Sequence, residues 1–243
     1  MPTQLLFTRF LNAHFAAPVD ALLGALHVHP DYPVAPITNP FAMELLVFAA
    51  MLIYFIVVHF TLDVEKPEPI QHLAEAINEF VCEQGESIIG HGYERFMSFV
   101  TVLGMFILLC NLVGIIPGLE SPTAYVVVPL GCAILTFVYY HYQGVRASGF
   151  KYFKQFLGPV WWMAWLLLPI EIISHFARVL SLTVRLYANI FAGDLVTLAF
   201  FSLIPVFIPL VFIGLHLMVA VVQAFVFMAL AMSYLSLAVA EEH

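Results

Sequence analysis

Charged side chains make up only 10% of this 243-residue chain, against roughly 25% in a soluble domain. With 63% hydrophobic residues and a mean hydropathy of +0.98, that scarcity excludes a water-soluble globule and defines a polytopic membrane protein. Positive charge is scarcest: 8 Lys and Arg stand against 16 Asp and Glu. They form no basic cluster, which argues against nucleic acid as a partner. The cysteines Cys82, Cys110 and Cys132 are odd in number and lack Cys-x-x-Cys spacing. They read as small hydrophobes, with neither a disulfide framework nor a metal site. The Gly-x-x-x-x-Gly-Lys-Ser/Thr phosphate loop is absent, so the chain is expected to be no enzyme on its own and to need no cofactor.

What is present is a series of long apolar runs. Residues 1–39 form an external N-terminal segment, interrupted by Arg9, Asn12, His14 and Asp20. An amphipathic surface helix with Leu5, Leu6, Phe10 and Leu11 on one side is expected there, followed by a solvated loop at His27-Val-His-Pro-Asp31. The membrane domain is 40–243. Spans are expected at 40–62, 96–116, 125–142, 170–204 and 210–240, each near or above the roughly 20 residues a crossing needs. Residues 63–94 read as a second amphipathic helix, with Leu73, Ile77, Phe80, Val81 and Ile88 recurring among Glu75, Glu79, Glu83 and Glu86. The fold class is therefore all-α, with about five crossings. Arg146, Lys151 and Lys154 place the 143–158 loop in the cytoplasm by the positive-inside rule. That puts the N-terminus outside and Glu241-Glu242-His243 inside.

The segment 160–240 stands apart. Its run 170–204 holds 35 residues without proline, about 52 Å as one helix, whereas the hydrocarbon core is about 30 Å thick. Tilt beyond the roughly 20° average accommodates the excess, and 210–240 is overlong in the same way. An inclined hairpin of this kind is a cradle for another cylindrical membrane body.

Polar groups on the hairpin are few and patterned. A permanently charged Arg185 at bilayer depth costs at least roughly 2.5–3.5 kcal/mol on insertion scales. At 100° per residue, Glu171, His175, Arg178, Ser181, Arg185 and Asn189 share a stripe, while Asp194 points to the opposite side. His216 and Gln223, seven apart, share a face of the last helix. Taken singly, such groups are often interface anchors or packing partners, and His59 and His141 read as interface groups. Taken jointly, protonatable groups divided by a fixed cation point to proton handling.

Three motifs carry a resemblance. Residues 181–195, Ser-Leu-Thr-Val-Arg-Leu-Tyr-Ala-Asn-Ile-Phe-Ala-Gly-Asp-Leu, resemble the signature of subunit a of F-type ATP synthases, the stator half of a rotary motor. Gln223-Ala-Phe-Val-Phe-Met228, with Tyr234-Leu-Ser236 and the terminal Glu-Glu-His, resembles that family's last helix; Asn111-Leu-Val-Gly-Ile-Ile-Pro-Gly118 resembles an earlier element. The resemblance covers roughly 39–243.

It implies that Arg185 faces a ring of c subunits, interacts with each ring carboxylate and blocks leakage, supported by Asn189 and Gln223. It further implies an outer half-channel lined by Asp194 and His216, and an inner one lined by Glu171, Ser174 and His175. Arg178 would be an interfacial anchor near the inner exit. The family often carries Glu where Asp194 stands, which alters reach but not charge. Implied partners are the c ring, peripheral-stalk b subunits, a soluble catalytic head and membrane lipid. The implied setting is a bacterial plasma membrane, with H⁺ rather than Na⁺ as the ion. A secondary transporter would show inverted repeats and broken helices, and a b-type cytochrome subunit would show paired axial histidines. Neither pattern occurs here, and neither accounts for Arg185 with Gln223.

Overall fold

The computed structural model describes residues 4–25, 35–63, 69–116, 118–149, 152, 164–203 and 207–239. They form seven α-helices and no strand: α1 (Leu6–Ala25), α2 (Asn39–Thr61), α3 (Pro69–Ile89), α4 (Glu94–Val113), α5 (Val127–Ser148), α6 (Ala164–Leu203) and α7 (Phe207–Val239). A 3₁₀ turn, Pro122–Ala124, precedes α5. The His27–Asp31 loop, the terminal Glu-Glu-His and most of the loop after α5 lie outside the described residues.

Among the described residues, four helices are long and apolar enough to cross a membrane: α2, α4, α6 and α7. The fifth expected span is α5, which runs on to Ser148. It falls short of their apolarity because its second half carries Tyr139, Tyr140, His141, Tyr142, Gln143 and Arg146. It packs against both α6 and α7.

The helix expected from residue 170 starts earlier, at Ala164, and contains Pro169. A proline near a helix end removes one donor bond. Breaking the helix inside lipid would strand several backbone groups without water, which is worse. Unbroken, α6 has 40 residues and is about 60 Å long at 1.5 Å per residue. The 33 residues of α7 make about 50 Å. Its Pro209 sits in the first turn, where a backbone N–H has no intrahelical partner, so the helix starts at Phe207, before the expected residue 210.

The face assigned to α1 needs correction. Leu6 is 87% exposed and Phe10 also points outward, while Thr8, Leu11 and Asn12 are buried. The cause is Asn12: its Nδ2 donates to the Ile37 carbonyl at 3.0 Å, and the Ile37 amide donates back to Oδ1 at 3.0 Å. This reciprocal pair of hydrogen bonds turns Leu11 onto Ile37, Ala42 and Met43. A residue that interrupts the apolar pattern is thus the anchor, because a buried backbone N–H and C=O must be paired.

Helix α3 buries Gln71, Val81 and Gly85 and leaves its glutamates outward, packing on α4 and α7. Gly85 permits that approach, since a Cβ there would stand 2.5 Å from Met97 Sδ. In the core, α6 supplies Leu182, Leu186 and Ile190 at four-residue spacing against Ala224, Phe227 and Ala231 of α7, Leu103 and Ile107 of α4, and Cys132 and Ala133 of α5. Small alanines let membrane helices approach closely, which is where their association energy arises.

The element 111–118 closes one end of this core. Asn111 is fully buried, and its Nδ2 donates to the Ala220 carbonyl of α7 at 3.1 Å. Its Oδ1 accepts from Thr123 Oγ1 at 2.6 Å, and Ser121 Oγ donates to the Cys110 carbonyl at 2.9 Å. Gly114 lies under Ser121, where a Cβ would come within 2.5 Å. Ala220 is four residues after His216 and three before Gln223, so Asn111 fixes the register of α7 between them. Asn111→Ala removes the donor to the Ala220 carbonyl and leaves the Thr123 hydroxyl only Ser121 Oγ, 2.8 Å away, as a partner. It is expected to lower the stability of the solubilised subunit by about 1–2 kcal/mol, read as an earlier denaturation midpoint; an unchanged midpoint would contradict this account.

Candidate functional site in the α6 and α7 hairpin

The buried line of α6 runs through His175, Leu182, Leu186 and Ile190. Arg185 and Asn189 lie on one flank of that line, and Asp194, nine residues beyond Arg185, lies on the other, since nine steps of 100° return a half-turn. Arg185 is exposed on the surface of the isolated subunit and has no hydrogen bond or ion pair among the described residues. A guanidinium carries five donors and cannot deprotonate, so this one is left to a group outside the chain.

One turn further, Asn189 Nδ2 donates to Gln223 Oε1 at 2.8 Å, joining α6 to α7. Gln223 is buried and its Nε2 has no partner among the described residues. Behind the pair is a cavity of 380 Å³ lined by Asn189, Gly193, Thr197, Phe212, His216 and Gln223, among others. His216 Nε2 is likewise buried without a partner. The cavity has polar residues on its wall and room for water, which occupies roughly 30 Å³ per molecule in the liquid.

At the far side of that cavity, His216 Nδ1 stands 3.5 Å from Asp194 Oδ1. The imidazole is buried, while a third of the carboxylate is exposed. The turn before α5 adds two groups. Tyr125 donates its hydroxyl to Glu120 Oε2 at 2.8 Å. Burial, then the Glu120 hydrogen bond and charge, then the charge of Asp194 push Tyr125 up to about 12, so it keeps the proton it donates.

The other cluster lies toward the start of α6. Glu171 Oε1 is 3.4 Å from His175 Nε2, and His175 Nδ1 is 2.9 Å from the Tyr140 hydroxyl of α5. His141 is centred 4.9 Å from His175, and the Arg178 guanidinium lies 5.4 Å over Tyr234 of α7. Ser174 is half-buried and makes no hydrogen bond among the described residues, so the structure does not tie it to Glu171 and His175. Along the helix, Glu171 is about 21 Å and Asp194 about 14 Å from the level of Arg185. Among the described residues, no group of three or more His, Cys, Asp or Glu is arranged to hold a metal ion.

The resemblance named Asn189 and Gln223 as supports of Arg185 and Asp194 with His216 as neighbours; the structure brings Asp194 near His216 and bonds Asn189 to Gln223 rather than to Arg185. Sequence reasoning missed Glu120, Tyr125 and Tyr140, and it left His141 as an interface group. The aromatic run Tyr139-Tyr-His-Tyr142 is the signal that could have found two of them, because four hydrogen-bonding rings in succession are unusual inside an apolar span.

Fold and site together define an ion-translocating membrane subunit. Two protonatable clusters sit at different levels of one helix, with a fixed cation between them. A family model described as ATP synthase A chain matches residues 41–236. The chain is 54% identical over 244 residues to ATP synthase subunit a of Koribacter versatilis (strain Ellin345), with 100% of both chains covered. It is 42% identical over 233 residues to ATP synthase subunit a of Solibacter usitatus (strain Ellin6076), covering 96% of this chain and 99% of that one. To ATP synthase subunit a of Campylobacter jejuni (strain RM1221) it is 43% identical over 173 residues, 70% and 76% of the two chains. The chain belongs to the ATP synthase subunit a family. It is a multi-pass membrane subunit of the proton-translocating sector, without catalytic chemistry of its own.

Proposed function

We propose that protons cross this subunit by two offset routes that meet at a c-subunit ring facing Arg185. The observation that carries this reading is the state of Arg185: it is exposed on α6 with no partner among the described residues, while its neighbour Asn189 is held by Gln223. An unpaired cation at bilayer depth is retained only for an anionic partner that arrives from outside. A ring carboxylate passing Arg185 is favoured in its ionised form by the opposite charge. The proton it releases or takes travels by Asp194, His216 and the adjoining cavity on the outer side, and by Glu171, Ser174 and His175 on the inner side. Arg178 over Tyr234 anchors the inner end.

The remaining partners in this reading are peripheral-stalk b subunits, a soluble catalytic head and lipid. Five crossings with α5 as the third, together with Arg146, Lys151 and Lys154 in the loop after α5, support a reading with residues 1–39 outside and the C-terminus in the cytoplasm of a bacterial plasma membrane. Residues 63–94 then lie on the cytoplasmic side, and 160–240 form the ring-facing hairpin of the membrane domain 40–243. The acids Asp194 and Glu171 take up H⁺ and need no sodium site on this chain.

Sidedness tests the proposal. In a background lacking Cys82, Cys110 and Cys132, Val196→Cys on the cavity is expected to react with an impermeant thiol reagent added outside only. Ser174→Cys is expected to react from the cytoplasmic side only, since a thiol reacts as the thiolate, which requires water contact. Labelling of both positions from the same face would overturn the two-route arrangement.

A further inference from the structure

Two hydrogen bonds and one apolar contact hold the turn before α5 against the hairpin. Thr123 Oγ1 donates to Asn111 Oδ1 at 2.6 Å, and Asn111 Nδ2 donates to the Ala220 carbonyl of α7 at 3.1 Å, one turn from His216. Ala124 packs on the core cluster that contains Ile190 of α6, one turn before Asp194. The turn is thus pinned beside both members of the outer pair. Glu120 and Tyr125 stand at its two ends, joined by the hydrogen bond from the Tyr125 hydroxyl to Glu120 Oε2 at 2.8 Å. A carboxylate has about four acceptor sites on two oxygens, so this bond holds Glu120 in place and leaves it room for a proton.

The level is that of the membrane surface. Asp194 lies about 14 Å along α6 from Arg185, close to half of the roughly 30 Å hydrocarbon core, and a third of its side chain is exposed. Tyr125 is 40% exposed and Glu120 is half-buried. The charge of Glu120 is felt at Asp194, and that of Asp194 at Tyr125.

We infer that Glu120 is the entry acid of the outer route: its carboxylate takes protons from external water and hands them to Asp194, while the Tyr125 hydroxyl fixes it at the mouth. The inference rests on the reading of Asp194 as an outer-route carboxylate. In each inward passage a hydronium ion gives its proton to Glu120 and becomes water. The proton then passes, directly or through water, to the Asp194 carboxylate, and Glu120 returns to its anionic form. A second acid at the rim enlarges the target and strengthens the negative field of a low-dielectric cleft, and such fields raise capture rates roughly 10- to 10³-fold.

The other titratable or charged groups on elements packed against this turn are turned elsewhere. Glu44 of α2 lines a separate apolar cavity with Phe41, Phe106 and Cys132. Cys110 of α4 and Cys132 of α5 are buried in the core, and His216 of α7 stands 3.5 Å behind Asp194. Leu119 meets α1, whose Arg9, His14 and Asp20 are exposed and make no bond to Glu120.

The test uses the assembled complex in vesicles with the catalytic head outward, so that the outer route opens to the lumen. ATP synthesis is driven by a fixed voltage at one bath pH, with the lumen loaded at about pH 5.5 to about 8, above the range of roughly 3.9–4.3 in which free carboxylic acids titrate. Each variant is normalised to wild type at every lumen pH. Glu120→Gln keeps the length of the side chain and an oxygen for Tyr125, and loses only the capacity to take a proton. It is expected to approach wild type at the acid end, where protons are abundant, and to fall about ten-fold below it at about pH 8, the lower end of the capture enhancement. A flat normalised profile overturns the inference, whether it lies at the wild-type level or uniformly below it; uniform reduction is the mark of a residue that only braces the turn. Asp194→Asn separates the two levels. If it synthesises like wild type, the outer-route reading itself fails; if it is slow while Glu120→Gln stays flat, only the entry role fails.

Discussion

Membranes carrying Arg185→Ala in an assembled synthase are expected to make no ATP from a proton gradient, a loss of at least about 100-fold, the scale on which removal of one preorganised electrostatic group acts. The side chain is exposed and unbonded among the described residues, so alanine removes no packing and insertion is expected to be normal. The defect therefore falls on the interaction with the ring carboxylate. Without the cation, that carboxylate is no longer drawn into its ionised form at the stator, and a proton can be carried through uncoupled from rotation. Passive proton leak in the absence of ATP synthesis is the second expected signature. Lysine is not expected to rescue, since an ammonium can lose its proton when desolvated and lacks the planar fork. Proton-driven synthesis at the wild-type rate in assembled Arg185→Ala vesicles would refute the mechanism.

Asp194→Asn is expected to slow proton-driven synthesis on the order of 100-fold, the lower range for loss of a positioned acid or base. The amide keeps the size and a polar atom facing His216 Nδ1, 3.5 Å away, but cannot hold and release a proton. His216→Ala is expected to change the pH dependence of synthesis while the complex still assembles, because the ring borders an existing cavity rather than solid packing. Since the two groups touch and act in one path, the double variant should lose less than the product of the single losses. Multiplicative losses with unaltered pH profiles would make Asp194 and His216 packing residues and move the outer route elsewhere.

The helices and the polar faces of the hairpin were legible in the sequence because both are local properties. Apolar runs of bilayer length mark α2, α4, α6 and α7, and 100° steps put Arg185 and Asp194 on opposite sides of α6. The errors have a common origin in contacts between distant segments. Asn12 reads as an interruption of α1 until Ile37, 25 residues on, is seen to pair with both ends of its amide. Tyr140 meets His175 across 35 residues, and Glu120 reaches the neighbourhood of Asp194 from a turn recognisable only by its prolines. Pro169 reads as a helix boundary by propensity, yet in a span the demand that every backbone group be satisfied outweighs the loss of one donor. A single sequence contains these partners but not their proximity.

The unbroken course of α6 also shapes the electric field that drives the protein. Glu171 and Asp194 are 23 residues apart on one helix, about 35 Å along its axis and thus more than the thickness of the hydrocarbon core. In the two-route reading proposed above, water reaches inward to each of them and the insulating part of the bilayer is reduced to the stretch around Arg185. The transmembrane voltage, about 2.3 kcal/mol for each elementary charge per 100 mV, then falls over that short stretch instead of the full membrane. In that reading a steep local gradient would act on a carboxylate carried past the guanidinium between two laterally offset routes, so the length of the helix would let a voltage across the membrane supply a torque in its plane.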